Sequence, residues 1–183
     1  MLVKTITLHA GHNPKGKIAC GASDYLDEST EARWMVKKVK ALLKKKKVKV
    51  YDCTVNNGTC QSDVLDKIIT KCNAKQRDFD ISIHFNAIRH ETDDGKTKGV
   101  ECCVYNAHST TAIKARKICD YMSLLGFTNR GVKERKNLAF LRRTTEPAIL
   151  IEVCFVDDED DAKLYKKCKN DVAKAIADAI AAW

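Results

Sequence analysis

The run Ala148-Ile149-Leu150-Ile151-Glu152-Val153 constrains this chain more than any other segment. A nearly unbroken apolar stretch of that length suits a central strand covered on both faces, and such strands belong to parallel sheets flanked by helices. The rest of the apolar pattern agrees, because it switches between strand and helix periods along the chain. Leu2 to Leu8 reads as a buried strand and His9 to Asp27 as a glycine-containing loop. From Glu28 to Leu43, the residues Ala32, Met35, Val36, Val39, Leu42 and Leu43 fall on one helical face. Val48 to Tyr51 predicts a short strand, and Ser62 the N-cap of a helix carrying Leu65, Ile68, Ile69 and Cys72. Phe79 to Phe85 and Val100 to Tyr105 read as strands, and Thr110 to Leu125 as a helix ended by Gly126. Leu138 to Leu141 is expected to be a strand, and two helices, Asp158 to Lys167 and Asp171 to Ala182, close the chain. The expected fold is α/β: a single domain with a twisted, mostly parallel sheet of about six strands and helices on both faces.

At 183 residues the chain has the size of one domain, and no stretch rich in Ser or Gly marks a linker. The formal charge of +9 favours a polyanionic partner such as nucleic acid, an anionic membrane face or a phosphate-bearing wall polymer. Much of it sits in Lys37, Lys38, Lys40, Lys44, Lys45, Lys46 and Lys47, at the end of one expected helix, where cations suit the helix dipole. Aromatic residues are not interleaved with these lysines, so nucleic acid is not the expected partner. Nine cysteines without a Cys-x-x-Cys pair argue against a zinc finger and against a complete disulfide framework. They fit a reducing compartment of origin, with most of them acting as small buried apolar groups. The first residues, Met1 to Thr7, lack the apolar core of a secretory signal, and no apolar run suffices to span a membrane.

Ligands of open α/β sheets gather at the carboxyl ends of strands. His9 and His12, His84 and Glu152 all fall at such ends, so they should meet at one edge. Two histidines with a carboxylate suit a zinc ion that keeps a position open for water. His12 sits in Ala10-Gly11-His12-Asn13-Pro14, where Gly11 permits a sharp turn; His9 is its local rival as a ligand or as a packing group beside one. Glu28 and Glu31 both open the first helix, where acidic residues are expected for dipole reasons alone. In Ser82-Ile83-His84-Phe85-Asn86 the three polar side chains share one strand face, and each needs a partner if buried. Glu152 is an ionisable group inside an apolar run. Either a cation compensates it or its pKa rises, and the plain alternative is a buried salt bridge.

Taken in order, these segments resemble the zinc-dependent N-acetylmuramoyl-L-alanine amidases of the type 3 family, found among phage endolysins and bacterial autolysins. The motifs that carry the resemblance are Gly11-His12, Glu28, Ser82-Ile83-His84-Phe85-Asn86 and Pro147-Ala148-Ile149-Leu150-Ile151-Glu152-Val153-Cys154-Phe155, with Asn129-Arg130-Gly131-Val132-Lys133 and Phe140-Leu141-Arg142 between them. The resemblance implies zinc held by His12, Glu28 and His84, with Glu152 as the catalytic acid and base. Asn86 and Arg142 become candidates for contacting the substrate or the developing oxyanion. Cys154 departs from the glycine that many relatives carry, which bears on packing beside Glu152. The segment between His84 and Glu152 has no room for the long inhibitory helix of some cell-division relatives, so an open site is expected.

The implied reaction is hydrolysis of the amide between N-acetylmuramic acid and the L-alanine of the peptidoglycan stem, with residues 1–183 as the catalytic domain and any wall-binding domain outside them. A phage endolysin, made without a signal peptide and released through a holin, is the expected setting; a sporulation enzyme freed by mother-cell lysis or an autolysin is the alternative. The rival activities are a zinc peptidase cutting within the stem peptide and a non-catalytic wall-binding module. No membrane insertion is expected.

Overall fold

The computed structural model describes residues 4–183. Six strands and five helices follow in the order β1 (Thr5–Ala10), α1 (Glu28–Lys45), β2 (Lys49–Asp52), α2 (Gln61–Asn73), β3 (Phe79–Asn86), β4 (Val100–Val104), α3 (Thr110–Ser123), β5 (Asn129–Glu134), α4 (Ala139–Arg143), β6 (Ala148–Phe155) and α5 (Glu159–Ala181). They form one sheet ordered β2-β1-β3-β6-β4-β5. The expected first strand is present from Thr5, while Leu2 and Val3 lie outside the described residues.

Strand alternation divides the core. Ile6, Leu8, Ile81, Ile83, Ile149, Ile151 and Val153 face the layer of α1, α3 and α5. Cys103, Ala148 and Leu150 face α2 and α4 on the other side, packing on Val64, Ile68, Cys72, Phe140 and Leu141. The helices are therefore on both faces, as a sheet with two apolar faces requires. No helix among the described residues is long and apolar enough to cross a membrane.

The sheet departs from full parallelism at one seam. The pairings β2 with β1, β1 with β3 and β3 with β6 are parallel, but β4 runs antiparallel to β6, and β5 follows β4 in parallel. The carboxyl ends of β1, β3 and β6 consequently share an edge with the amino ends of β4 and β5.

Four local expectations change. Cys60, not Ser62, precedes α2 as its N-cap, and Ser62 is the second helical residue. Leu138 to Leu141 is not a strand: Leu138 caps α4, and the adjacent Phe140 and Leu141 are both buried, which a helical turn allows and a strand with one covered face does not. β5 escapes the apolar reading because it is a polar edge strand with no fully buried residue. The two closing helices are halves of α5, interrupted only at Cys168, whose φ of −125° and ψ of 19° leave the helical range.

Two buried acids pin this frame. Asp80 is wholly buried in β3 and receives two hydrogen bonds from Arg77, at 2.9 and 2.7 Å, and a short one from the Thr7 hydroxyl. Asp161, at the start of α5, accepts from the Phe155 and Gly99 amides, tying the end of β6 to the start of β4. Removing one partner of a buried pair strands the other charge. Arg77→Ala should therefore destabilise the domain by about 3 to 5 kcal/mol, and a melting temperature within experimental error of the wild type would contradict it.

Candidate metal centre and active site

Glu28 enters the site because Asp27 starts α1 there, its side chain accepting from the Thr30 amide at 2.8 Å. The carboxylate of Glu28 is buried, and its hydrogen-bond partners are two backbone amides and two imidazoles. Oε1 lies 3.0 Å from His84 Nδ1, 3.2 Å from His12 Nε2, and accepts from the Phe85 amide at 3.2 Å. Oε2 accepts from the Ala22 amide at 2.9 Å. Burial by itself would raise the pKa of Glu28, but the hydrogen bonds and charge of His12 and His84 carry it well below the ordinary carboxylate range. The same contacts raise His12 against the effect of its own burial.

His12 is held from its backbone. Arg33 Nη2 donates to the His12 carbonyl at 2.7 Å and to that of Val55 at 2.8 Å. Next to it the buried Asn13 bonds the Ile18 and Gly58 carbonyls, both at 2.8 Å, and accepts from the Gly58 amide at 3.0 Å. Nothing in the sequence periodicity singled out Arg33 or Asn13, because their partners are carbonyls brought near only by folding. Glycine makes room for the rings: a Cβ on Gly11 would sit 1.9 Å from the His84 ring. One on Gly21, whose φ is +83°, would sit 2.4 Å from Glu28 Oε2.

Glu152 stands beside this group through the sheet register, which pairs His84 with Glu152 on one side and Glu101 with Glu152 on the other. Its Oε2 is shielded from solvent and has no hydrogen-bond partner among the described residues. Burial first, then the negative charge of Glu28 and Glu101, push its pKa up to about 8. Glu101 is itself buried, answered by Arg130 Nε at 2.8 Å and by Asn86 Nδ2 at 3.3 Å. Sequence reading missed Glu101. Its signal was present in Gly99-Val100-Glu101-Cys102-Cys103, an acid among apolar residues like Glu152.

The family model described as N-acetylmuramoyl-L-alanine amidase, Amidase_3, matches residues 6–182. The chain belongs to this amidase family. The endolysin of Bacillus phage SPP1 is 35% identical over 190 residues, covering 97% of this chain and 65% of its own length. An uncharacterized protein of Clostridium perfringens is 34% identical, covering 96% of this chain and 51% of its own. The chain thus spans between half and two thirds of these curated relatives. Among solved structures, the catalytic domain of the CD27L endolysin targeting Clostridia difficile superposes with a TM-score of 0.84 at 25% identity, covering 97% of this chain and 96% of that one. The catalytic domain of CwlV, an amidase from Bacillus (Paenibacillus) polymyxa var. colistinus, gives 0.76 at 27%, with the same coverage.

Within this amidase domain, His12, Glu28 and His84 offer ligand atoms that all lie within 4.8 Å of one another. Two ring nitrogens and a carboxylate oxygen, converging while Gly11 and Gly21 keep the space clear, fit a divalent metal. The other candidates fall elsewhere. His9 is buried against Phe140 at 4.8 Å, with its pKa pushed down to about 3 by burial and by the charge of His84. Glu31 faces away, accepting from the Tyr165 hydroxyl at 2.9 Å. Asn86 is occupied by Glu101 and by the Ala87 amide. Arg142 is exposed on α4 in a hollow of about 330 Å³ with Tyr105, Asn106, Glu146 and Pro147, by the amino end of β6.

Gly11→Ala should drive the His84 ring out and weaken metal binding at least about tenfold; metal content after dialysis measures this, and full occupancy would contradict it. The titration of Glu152 gives a second expectation for the metal-free protein. The folded state holds a proton up to about pH 8, whereas the unfolded chain releases it near 4.5. Raising the pH between those values removes stability, and above the upper one the whole penalty remains. In chelator, the melting temperature of Glu152→Gln relative to the wild type should climb between those two pKa values and then level off. A difference independent of pH would show that Glu152 is not shifted.

Proposed function

We propose that this domain is a zinc-dependent N-acetylmuramoyl-L-alanine amidase that hydrolyses the amide joining the lactyl group of N-acetylmuramic acid to the L-alanine of the peptidoglycan stem. The observation that carries the reading is the register of β3 and β6, which sets Glu152 beside His84 and hence beside the whole His12, Glu28 and His84 group. In this reading those three side chains hold the zinc. Zinc so held supplies an activated water at neutral pH and polarises the scissile carbonyl.

The chain's own part is proton handling and position. Glu152 Oε2 has no partner to compete for it, so it is placed to take the proton of the attacking water and deliver it to the leaving amine. A pKa lifted toward neutrality suits a group that must first accept and then donate. Glu28, held by the Phe85 and Ala22 amides, keeps the two imidazoles facing one point, so little rearrangement accompanies metal binding. His9, neutral and packed on Phe140, lies behind the group as filling. Asn86 serves Glu101 in this reading, and Arg142, exposed on α4, would meet only substrate groups away from the reacting bond.

The setting we favour is a phage endolysin, supported by the similarity to the Bacillus phage SPP1 endolysin along almost the whole of this chain. An autolytic or sporulation amidase is the alternative for the same chemistry, and the likeness to CwlV, an N-acetylmuramoyl-L-alanine amidase of a bacterium rather than a phage, leaves that setting open.

Incubation with purified peptidoglycan should release new L-alanine amino termini without new reducing sugars, and a chelator should stop it. New reducing ends would make the protein a glycosidase, and no product at all a wall binder. Glu152→Gln should lower turnover by about a hundredfold or more while zinc stays bound. A fully active variant would remove Glu152 from the reaction.

A further inference from the structure

Arg130 is built into the same edge in a way that the hydrolysis itself does not require. Between β4 and β5 the register passes from Val100 opposite Asn129 to Cys102 opposite Val132, so β5 carries one extra residue there. Arg130 and Gly131 together oppose Glu101, and Gly131 takes the left-handed φ of +76° that the bulge needs. Bulges re-aim side chains, and this one turns Arg130 back toward the site. Its Nε donates to Glu101 Oε2 at 2.8 Å, and the guanidinium lies over the Phe155 ring, 4.8 Å from the centroid.

These two contacts fix the plane of the guanidinium and leave its terminal amino groups without a hydrogen-bond partner among the described residues. About a third of the side chain remains exposed, at 32%. A pinned fork with two free N–H groups is a receptor for a carboxylate, which it can bind through two parallel bonds. Lys98 Nζ also lies 5.7 Å from the Phe155 ring centroid, where it is paired with Glu91 at 3.0 Å.

Distance selects the carboxylate. Adjacent strands are about 4.8 Å apart. Arg130 belongs to the second strand from Glu152, and its guanidinium reaches across β4 to Phe155, three residues past Glu152 on β6, so the fork stands a short stretch of extended peptide away from Glu152. One residue of extended peptide spans about 3.5 Å. The main-chain carboxyl of the residue after L-alanine would then stand at about the right separation.

We propose that Arg130 is a specificity residue that binds a free carboxylate on the second residue of the stem peptide, with Glu101 and Phe155 as its anchors. The proposal rests on the amidase reading given above and would make this domain prefer stems whose second residue is an acid over those in which it is a carboxamide.

The test compares the γ-methylamide of N-acetylmuramoyl-L-alanyl-D-glutamate, whose α-carboxylate is its one free acid group, with the corresponding α-carboxamide, as substrates of the zinc-loaded wild type, Arg130→Ala and Arg130→Lys. The wild type should prefer the acid by about tenfold or more, expressed in KM with kcat little changed. Arg130→Ala should lose the preference, and Arg130→Lys should recover only part of it because it lacks the fork. Calorimetric binding of both compounds to Glu152→Gln gives a readout independent of turnover and should show the same preference. Equal treatment of the two compounds by the wild type, or a preference that survives in Arg130→Ala, would overturn the proposal. Release of L-alanine amino termini from neither compound and from no peptidoglycan would instead overturn the amidase reading, which keeps the two failures apart.

Discussion

One carboxylate oxygen, Glu28 Oε1, holds the functional edge together. It meets the rings of His12 and His84 and the amide of Phe85, and these come from the loop after β1 and from β3, while Glu28 itself belongs to α1. A buried carboxylate is costly unless every oxygen is answered. Glu28 is answered by backbone amides and imidazoles alone, so the interactions that stabilise it are the same ones that shape a metal site. The frame behind it is rigid for the same reason. Asp80 and Asp161 are buried acids satisfied by Arg77 and by backbone amides, and they fix the strands from which the site residues project.

Carboxyl groups gather at this edge, with Glu101 opposite Glu152 across the sheet and Glu28 close enough from α1 to act on Glu152. The three are handled differently. Glu28 is held ionised by its donors, Glu101 is paired with Arg130, and Glu152 has an oxygen with no partner and keeps its proton toward neutral pH. In the proposed reading these different environments divide the labour, Glu28 holding the cation and Glu152 moving the proton.

Much of this was legible along the chain. Glu152 betrays itself because an ionisable residue in an apolar run must have a reason to be there, and Ser82, His84 and Asn86 do so by alternating with Ile81, Ile83 and Phe85. The fold class follows from the switching apolar periods. β5 was not legible, since a polar edge strand carries no burial signal, and α4 was misread because two adjacent apolar residues fit either structure. Arg33 and Asn13 were invisible because a side chain that bonds remote carbonyls leaves no periodic trace.

Local pattern and chemistry thus determined which segments become strands and helices, and which polar residues need an explanation: these are properties of short stretches, set by side-chain period and by the penalty for burying charge. Only the tertiary structure decided that His12 and not His9 faces Glu28, that Glu31 turns toward Tyr165, and that β4 runs against β6. That last choice carries Glu101 and Arg130 to the edge where Glu152 lies, an arrangement that exists only across hydrogen-bonded strands distant in sequence. Register and strand direction are collective quantities, fixed when all the layers pack at once, so no single segment contains them.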